Sequence, residues 1–236
     1  MGKEHSGRAA KQMIRVHVIC EGQTEEMFVK EILSGFFSSR GICLIPTLIG
    51  KPGHKGGNFK FDRLFTDVRA RLLGDKTSYC TTFFDFYGLP ENFPGKQEAL
   101  GCLTFQKKAQ RVLDVMSDEL REKLGEESLR RFIPYIQMYE FEGLLFSAPD
   151  VLAQAIYKPD LKLEFQKIRD KFTTPEEINN SPLCAPSKRI KKLYSGYDKP
   201  IHGSLAAIEI GLNTIRSECH IFDSWLNRIE KLQGIN

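Results

Sequence analysis

The 236-residue chain contains no apolar run approaching the roughly 20 residues that a membrane-spanning helix needs, and no signal-peptide h-region. A cytoplasmic protein without a membrane partner is the expectation. There are six cysteines, Cys20, Cys43, Cys80, Cys102, Cys184 and Cys219, but no CxxC pair. That spacing argues against zinc or a disulfide framework. Cys20, Cys43 and Cys80 sit in apolar strand-like runs and read as buried thiols. HExxH is missing, so His202 and His220 have no metal spacing. GxSxG is missing, which leaves Ser/His/Asp hydrolysis without support. Neither internal repeats nor low-complexity tracts occur. Charge of one sign is in small excess: 34 Lys and Arg against 30 Asp and Glu give a net charge of +4 and a pI near 8.7. A polyanionic partner is compatible with that balance and is not specified by it.

With 41% hydrophobic and 27% charged residues, the composition is that of a globular domain, or of a domain with a smaller appended part. The organising stretch is Met13 to Glu26, MIRVHVICEGQTEE. Its β-branched alternation predicts a short central strand ending at Glu21-Gly22. Thr24 is the predicted N-cap of a following helix with Glu25 and Glu26 in its first turn. Residues 1–12 are polar and aperiodic and predict a disordered extension.

Cys43 to Ile49 is a second predicted strand, which Pro46 assigns to a sheet edge or a bulge. Gly50 to Lys60, GKPGHKGGNFK, lacks the Walker A spacing. It reads either as a flexible loop or as a basic lid whose Lys51, His54, Lys55 and Lys60 meet phosphates. Phe61 to Leu72 predicts an amphipathic helix, Tyr79 to Phe86 a buried strand carrying Asp85 at its end, and Phe105 to Leu124 a charged helix. Arg131 to Met138 predicts a further strand, followed at once by Glu140 and Glu142. From Pro149 the pattern is helical over 151–157, 161–172, 187–193, 205–215 and 221–232, with Trp225 as a core anchor. The expected architecture is a largely parallel α/β core over 13–148 with a helical part over 149–236 packed on it.

Three strand-like runs thus end in acids: Glu21, Asp85, and Glu140 with Glu142. Parallel strands would bring these to one carboxyl edge, where open α/β sheets bind ligands. Converging carboxylates raise one another's pKa unless a cation holds them, and hard oxygen donors suit Mg²⁺ or Mn²⁺. Such a site activates water and stabilises a transferring phosphoryl group. Lys188 and Arg189 follow Ser187, a plausible N-cap. They read as a solvated basic face or as a phosphate grip at a helix start.

Glu21-Gly22-Gln23-Thr24-Glu25, Asp85-Phe86-Tyr87-Gly88 and Tyr139-Glu140-Phe141-Glu142-Gly143-Leu144-Leu145-Phe146, each after a predicted strand, form one pattern with Ala185-Pro186-Ser187-Lys188-Arg189, Ile208 to Leu212 and Ile215-Arg216. Over roughly Met13 to Leu232 this resembles bacterial TOPRIM-like proteins of a family of unknown function (domain of unknown function 4276), related to overcoming-lysogenization-defect nucleases. The resemblance implies a TOPRIM-like Rossmannoid sheet and Mg²⁺-dependent phosphoryl transfer on nucleic acid. Glu21 matches the superfamily's strand-end glutamate, and Asp85 the first acid of its Asp-x-Asp motif. Tyr87 stands in place of the second, so either Glu140 or Glu142 replaces that ligand or the metal site is weakened. Lys188 resembles the lysine those nucleases carry beyond their acidic motifs. An AAA- or ABC-type ATPase encoded nearby, in an anti-phage setting, is also implied, and a homo-oligomer is compatible.

The leading expectation is a metal-dependent nuclease acting on DNA or RNA. Glu21, Asp85 and Glu140 would hold the metal with help from Glu142, Lys188 would stabilise developing charge, and Lys51 to Lys60 with Arg189 would contact the polynucleotide. The rival expectations are a degenerate scaffold that binds nucleic acid or an ATPase without cleaving, and a small-molecule phosphohydrolase.

Overall fold

The computed structural model of the chain describes residues 13–50, 59–179 and 184–234. The predicted extension over 1–12 and the Lys51, His54 and Lys55 assignments lie outside these residues. Five parallel strands form the centre: β1 (Ile14–Cys20), β2 (Ile42–Leu48), β3 (Tyr79–Asp85), β4 (Phe132–Ile133) and β5 (Ile136–Gln137). Their order is β2-β1-β3-β4, with β5 pairing further along β3. The Pro46 strand lies at the edge, where a missing N–H costs no ladder bond, and the Glu21 strand is internal.

One strand was expected over 131–138, and the structure holds two. Pro134 breaks the ladder, and β3 supplies side chains across the gap. The Thr82 hydroxyl accepts from Tyr135 N–H (3.0 Å) and donates to Tyr135 O (2.7 Å). Thr81 donates to Ile133 O and accepts from the Trp225 indole (2.8 Å).

Helices cover both faces. α1 (Gln23–Phe28) runs through a π-turn at Val29–Leu33 into α2 (Ser34–Ser38). α3 (Phe61–Gly74), α4 (Lys96–Leu100), α5 (Phe105–Leu124) and α6 (Glu126–Leu129) precede β4. After β5 come α7 (Glu142–Leu145), α8 (Pro149–Ala155), α9 (Lys162–Arg169), α10 (Pro186–Leu193), α11 (Lys199–Ile210), α12 (Leu212–Glu218) and α13 (His220–Glu230). The single helix expected over 205–215 is two, because Gly211 turns the chain at φ 80°. Arg216 then ties α12 to α13 through Asp223, Asn227 and Glu230.

The strand pleat divides the apolar residues between two cores. Val16, Val18, Cys20 and Phe83 pack with α1, α7 and the C-terminal helices, and Trp225 stacks on Tyr135 there (4.3 Å between centroids). Ile19, Cys80 and Phe84 pack with α3 and α5 on the other face. Cys20, Cys80 and Cys219 are buried free thiols, and burial raises all three, Cys80 up to about 12, so they pack rather than react.

Candidate functional site

Glu21 follows the last residue of β1, and its N–H still pairs with Phe83 O of β3 (3.1 Å). Its carboxylate turns across the sheet edge and accepts the Asp85 N–H (2.9 Å), tying the ends of β1 and β3 together. Gly88, in the turn after Asp85, lies directly under this carboxylate. A Cβ there would overlap the Glu21 carboxyl group, so the site requires glycine for space rather than for an unusual φ. Gly88→Ala is therefore expected to displace Glu21 and to match Glu21→Ala in any activity assay, with the circular dichroism of the folded protein retained.

The helix start differs from expectation. Gly22, in extended conformation, is the N-cap, and Thr24 is buried inside the first turn. Glu25 reaches back from the third helical position, and its Oε2 accepts the Gly22 N–H (2.9 Å). This cap pulls the Glu25 carboxylate under the sheet edge, where the residue is 3% exposed and Oε1 takes no hydrogen bond among the described residues.

A third set of acids arrives after β5. Tyr139 adopts the left-handed conformation (φ 63°), a costly one for a non-glycine residue, and reverses the chain into α7. The reversal separates two neighbouring acids. Glu140 turns to α10 and accepts the Ser187 N–H (2.9 Å). Glu142 turns inward and is fully buried, with neither oxygen hydrogen-bonded among the described residues.

The cation between these acids is Lys199, at the first position of α11. Asp198 caps that helix by accepting the Ile201 N–H (3.0 Å). α11 packs across α1, α7 and α8. Gly203, one turn beyond Lys199, permits the close approach: a Cβ there would lie 3.1 Å from the Tyr197 hydroxyl and 3.7 Å from the Thr24 methyl. The Lys199 ammonium consequently lies 2.9 Å from Asp85 Oδ2, 3.2 Å from Glu142 Oε2 and 3.6 Å from Glu25 Oε1. A second lysine, the buried Lys96, donates to Phe86 O, sits over the Phe86 ring (3.7 Å) and faces Glu21.

The electrostatics follow from burial. Burial and the Glu25 charge push Glu21 up to about 7. Burial likewise raises Glu142 to about 7, with Lys199 opposing. Asp85 lies well above the usual carboxylate range, raised by burial and by its three acidic neighbours against the pull of Lys199. Burial lowers Lys96 to about 8. Burial alone would lower Lys199 too, but Asp85, Glu142 and Glu25 outweigh it and hold the ammonium well above the ordinary lysine value. Four carboxylates face two ammonium groups, so full ionisation would leave negative charge uncompensated, and the raised carboxyl values are the response to it.

This donor set fits a divalent cation by chemistry and charge. Glu25 Oε1, Asp85 Oδ1 and both Glu142 oxygens are buried hard donors without hydrogen bonds among the described residues. By geometry the acids converge on an ammonium. Among the described residues, no three His, Cys, Asp or Glu side chains are arranged around one metal position.

The structure thus brings Glu21, Asp85 and Glu142 together and directs Glu140 elsewhere. Lys188 is exposed and makes no hydrogen bond or ion pair among the described residues. Ser187 is not the N-cap of α10; Ala185 is, with Pro186 in the first turn. Arg189 lies along an open cleft beside Tyr139, and exposed Lys60 precedes α3. Glu25, Lys96 and Lys199 were missed as site residues. The spacing of Glu25 from Gly22 is a capping-box signal, whereas nothing local marks Lys96 or Lys199.

No curated protein and no solved structure matches the chain. A family model described as Domain of unknown function (DUF4276) matches residues 20–230, a span that includes every carboxylate and lysine of the site. The chain belongs to the DUF4276 family.

Proposed function

We propose that the protein is a TOPRIM-like, divalent-cation-dependent nuclease that hydrolyses phosphodiester bonds of DNA or RNA. One observation carries this reading: Glu21 after β1 and Asp85 at the end of β3 lie at the carboxyl edge of a parallel sheet with Glu25 of α1 and Glu142 of α7, and the buried Glu25, Asp85 and Glu142 hold four oxygens without hydrogen bonds among the described residues. Glu21, Asp85 and Glu142, with Glu25, are the residues that would hold Mg²⁺ or Mn²⁺. The ion supplies Lewis acidity and a more acidic bound water. In this reading Glu142 takes the role that Asp-x-Asp assigns to its second acid. Lys199, on the same acids, is the cation positioned to offset negative charge on the phosphoryl oxygens, a role earlier assigned to Lys188. An ATPase partner encoded nearby belongs to the same proposal, and co-purification from the native host tests it.

The test is incubation of the protein with plasmid DNA, single-stranded DNA and total RNA in Mg²⁺, Mn²⁺ or EDTA, beside Glu21→Ala. Metal-dependent cleavage lost in the folded variant is the expected result. Full activity of Glu21→Ala would end the assignment.

A second reading has its own observation. Lys199 already satisfies three acids, and Tyr87 replaces an acid of the motif. A scaffold with lysine as its permanent counter-ion would bind nucleic acid without cleaving it. Calorimetric titration with Mn²⁺ separates the two, since the scaffold gives no carboxylate-dependent heat.

A further inference from the structure

Among the described residues, the buried side-chain oxygens without a hydrogen bond belong to Glu25, Asp85, Glu142, Tyr197 and Ser204. The three acids surround Lys199 and belong to the site already described. Tyr197 is not an acid, yet its hydroxyl is equally unpaired. The residue is 3% exposed and directly precedes Asp198, the N-cap of α11. Buried phenols find a partner as a rule, because an unpaired buried hydroxyl carries the full cost of its desolvation.

The contacts of Tyr197 place this hydroxyl beside Glu142. Its N–H donates to Tyr194 O (3.1 Å), and its ring stacks on His202 (5.7 Å between centroids, 23° between planes). His202 is fixed in turn, since its Nδ1 accepts the Asp198 N–H (2.8 Å). A Cβ on Gly203 would lie 3.1 Å from the Tyr197 hydroxyl and 3.6 Å from the Phe141 ring. The hydroxyl and the residue just before Glu142 therefore meet at one point on α11. Burial, then the facing Glu142 charge, hold the phenol well above the ordinary tyrosine value, so the hydroxyl stays a proton donor.

A donor without an acceptor thus faces a carboxylate without a donor, and the two do not bond each other directly. One water molecule satisfies both, accepting from the phenol and donating to the carboxylate. The Lys199 ammonium, 3.2 Å from Glu142 Oε2, is a third polar partner for it. Buried waters typically make about three hydrogen bonds, to groups that otherwise lack them.

We infer that Tyr197 is a positioning residue of the carboxylate site, holding Glu142 through one buried water that bridges the phenol hydroxyl and the carboxylate. The segment that delivers Lys199 to the acids thereby also orients one of them. This bridge concerns the acids themselves and stands whether or not the site cleaves.

Two measurements in EDTA test it. The first is a high-resolution crystal structure of the metal-free protein. A water within hydrogen-bonding distance of both the Tyr197 hydroxyl and a Glu142 oxygen is expected, and its absence overturns the bridge. The second is urea unfolding at pH 8 of wild type, Tyr197→Phe, Glu142→Leu and the double variant. Phenylalanine keeps the ring against His202 and removes only the hydroxyl. Tyr197→Phe should lower the folded-to-unfolded ratio about fivefold, the size of one ordinary hydrogen bond. In the Glu142→Leu background the same substitution should change it less than about twofold, because the acceptor has gone. An unchanged or higher ratio in Tyr197→Phe would mean a hydroxyl without any partner and overturns the inference. An undiminished loss in the Glu142→Leu background places the partner elsewhere and overturns it too. Neither measurement involves cleavage or a metal, so the bridge and the nuclease reading fail separately.

Discussion

Lys199→Met is expected to destabilise the metal-free protein by about 2–4 kcal/mol at pH 8. Removing one partner of a fully buried ion pair costs about 3–5 kcal/mol. The smaller figure applies because the Lys199 side chain is 31% exposed, and solvent screens part of the interaction. The variant leaves Asp85, Glu142 and Glu25 facing one another without a cation. Protons are their remaining relief, which sets the pH dependence. Glu21 and Glu142 titrate near 7 in the folded protein, above the ordinary carboxylate value of about 4.3. Between those values the folded state binds more protons than the unfolded chain, so stability falls as pH rises through the window. Acidification from pH 7 to 5 should therefore restore much of the loss in Lys199→Met, and the wild type should show the same slope less steeply. Urea unfolding at pH 5.5 and 8 measures both. Under the nuclease reading, Mn²⁺ also rescues the variant at pH 8 and binds it more tightly than wild type, because a like-charged competitor has gone. Rescue by acid but not by Mn²⁺ favours the scaffold. Unchanged stability at pH 8 would show that Lys199 is not the counter-ion.

Glu142→Gln should separate activity from stability. Glu142 is fully buried, with Oε2 3.2 Å from the Lys199 ammonium and no hydrogen bond on either oxygen among the described residues. The substitution keeps shape and removes one charge from a site that carries excess negative charge. Metal-free stability at pH 8 is expected to hold or rise, since a buried charge and its repulsions disappear. Cleavage is expected to fall on the order of 10²-fold or more, as loss of a charge-stabilising contact in the transition state predicts. Thermal melts and cleavage kinetics on the same preparation are the measurement. A variant that melts lower yet cleaves as wild type would make Glu142 a structural residue. Glu140→Gln, whose carboxylate caps the α10 backbone at Ser187, should show a modest loss of stability of about 1 kcal/mol and a smaller loss of cleavage.

Periodicity and turn chemistry are local, and what they encode was legible in the chain. The alternation of 14–20 and the apolar run of 79–85 specify β1 and β3, and each leads into an acid at the sheet's carboxyl edge. Pro46 specifies an edge strand, and the helical spacing of 105–124 specifies α5 with the observed bounds. Even the departures have local causes: Pro134 splits a strand, and Gly211 splits a helix.

The occupant of the acidic edge was decided elsewhere. Lys199 and Asp85 are 114 residues apart, and no spacing rule links them. Their pairing exists because Gly203 lets α11 lie close to α1, which puts the first residue of α11 over the ends of β1 and β3. The choice between Glu140 and Glu142 was equally invisible, since both follow the same apolar run. One left-handed residue, Tyr139, turns the chain so that Glu140 caps a helix while Glu142 enters the buried site. Sequence alone determined that the first and third strands lead into Glu21 and Asp85, because strand ends are set by neighbouring residues. Only tertiary packing decided which acids meet and which cation they meet, because that depends on the approach of a helix encoded more than a hundred residues away.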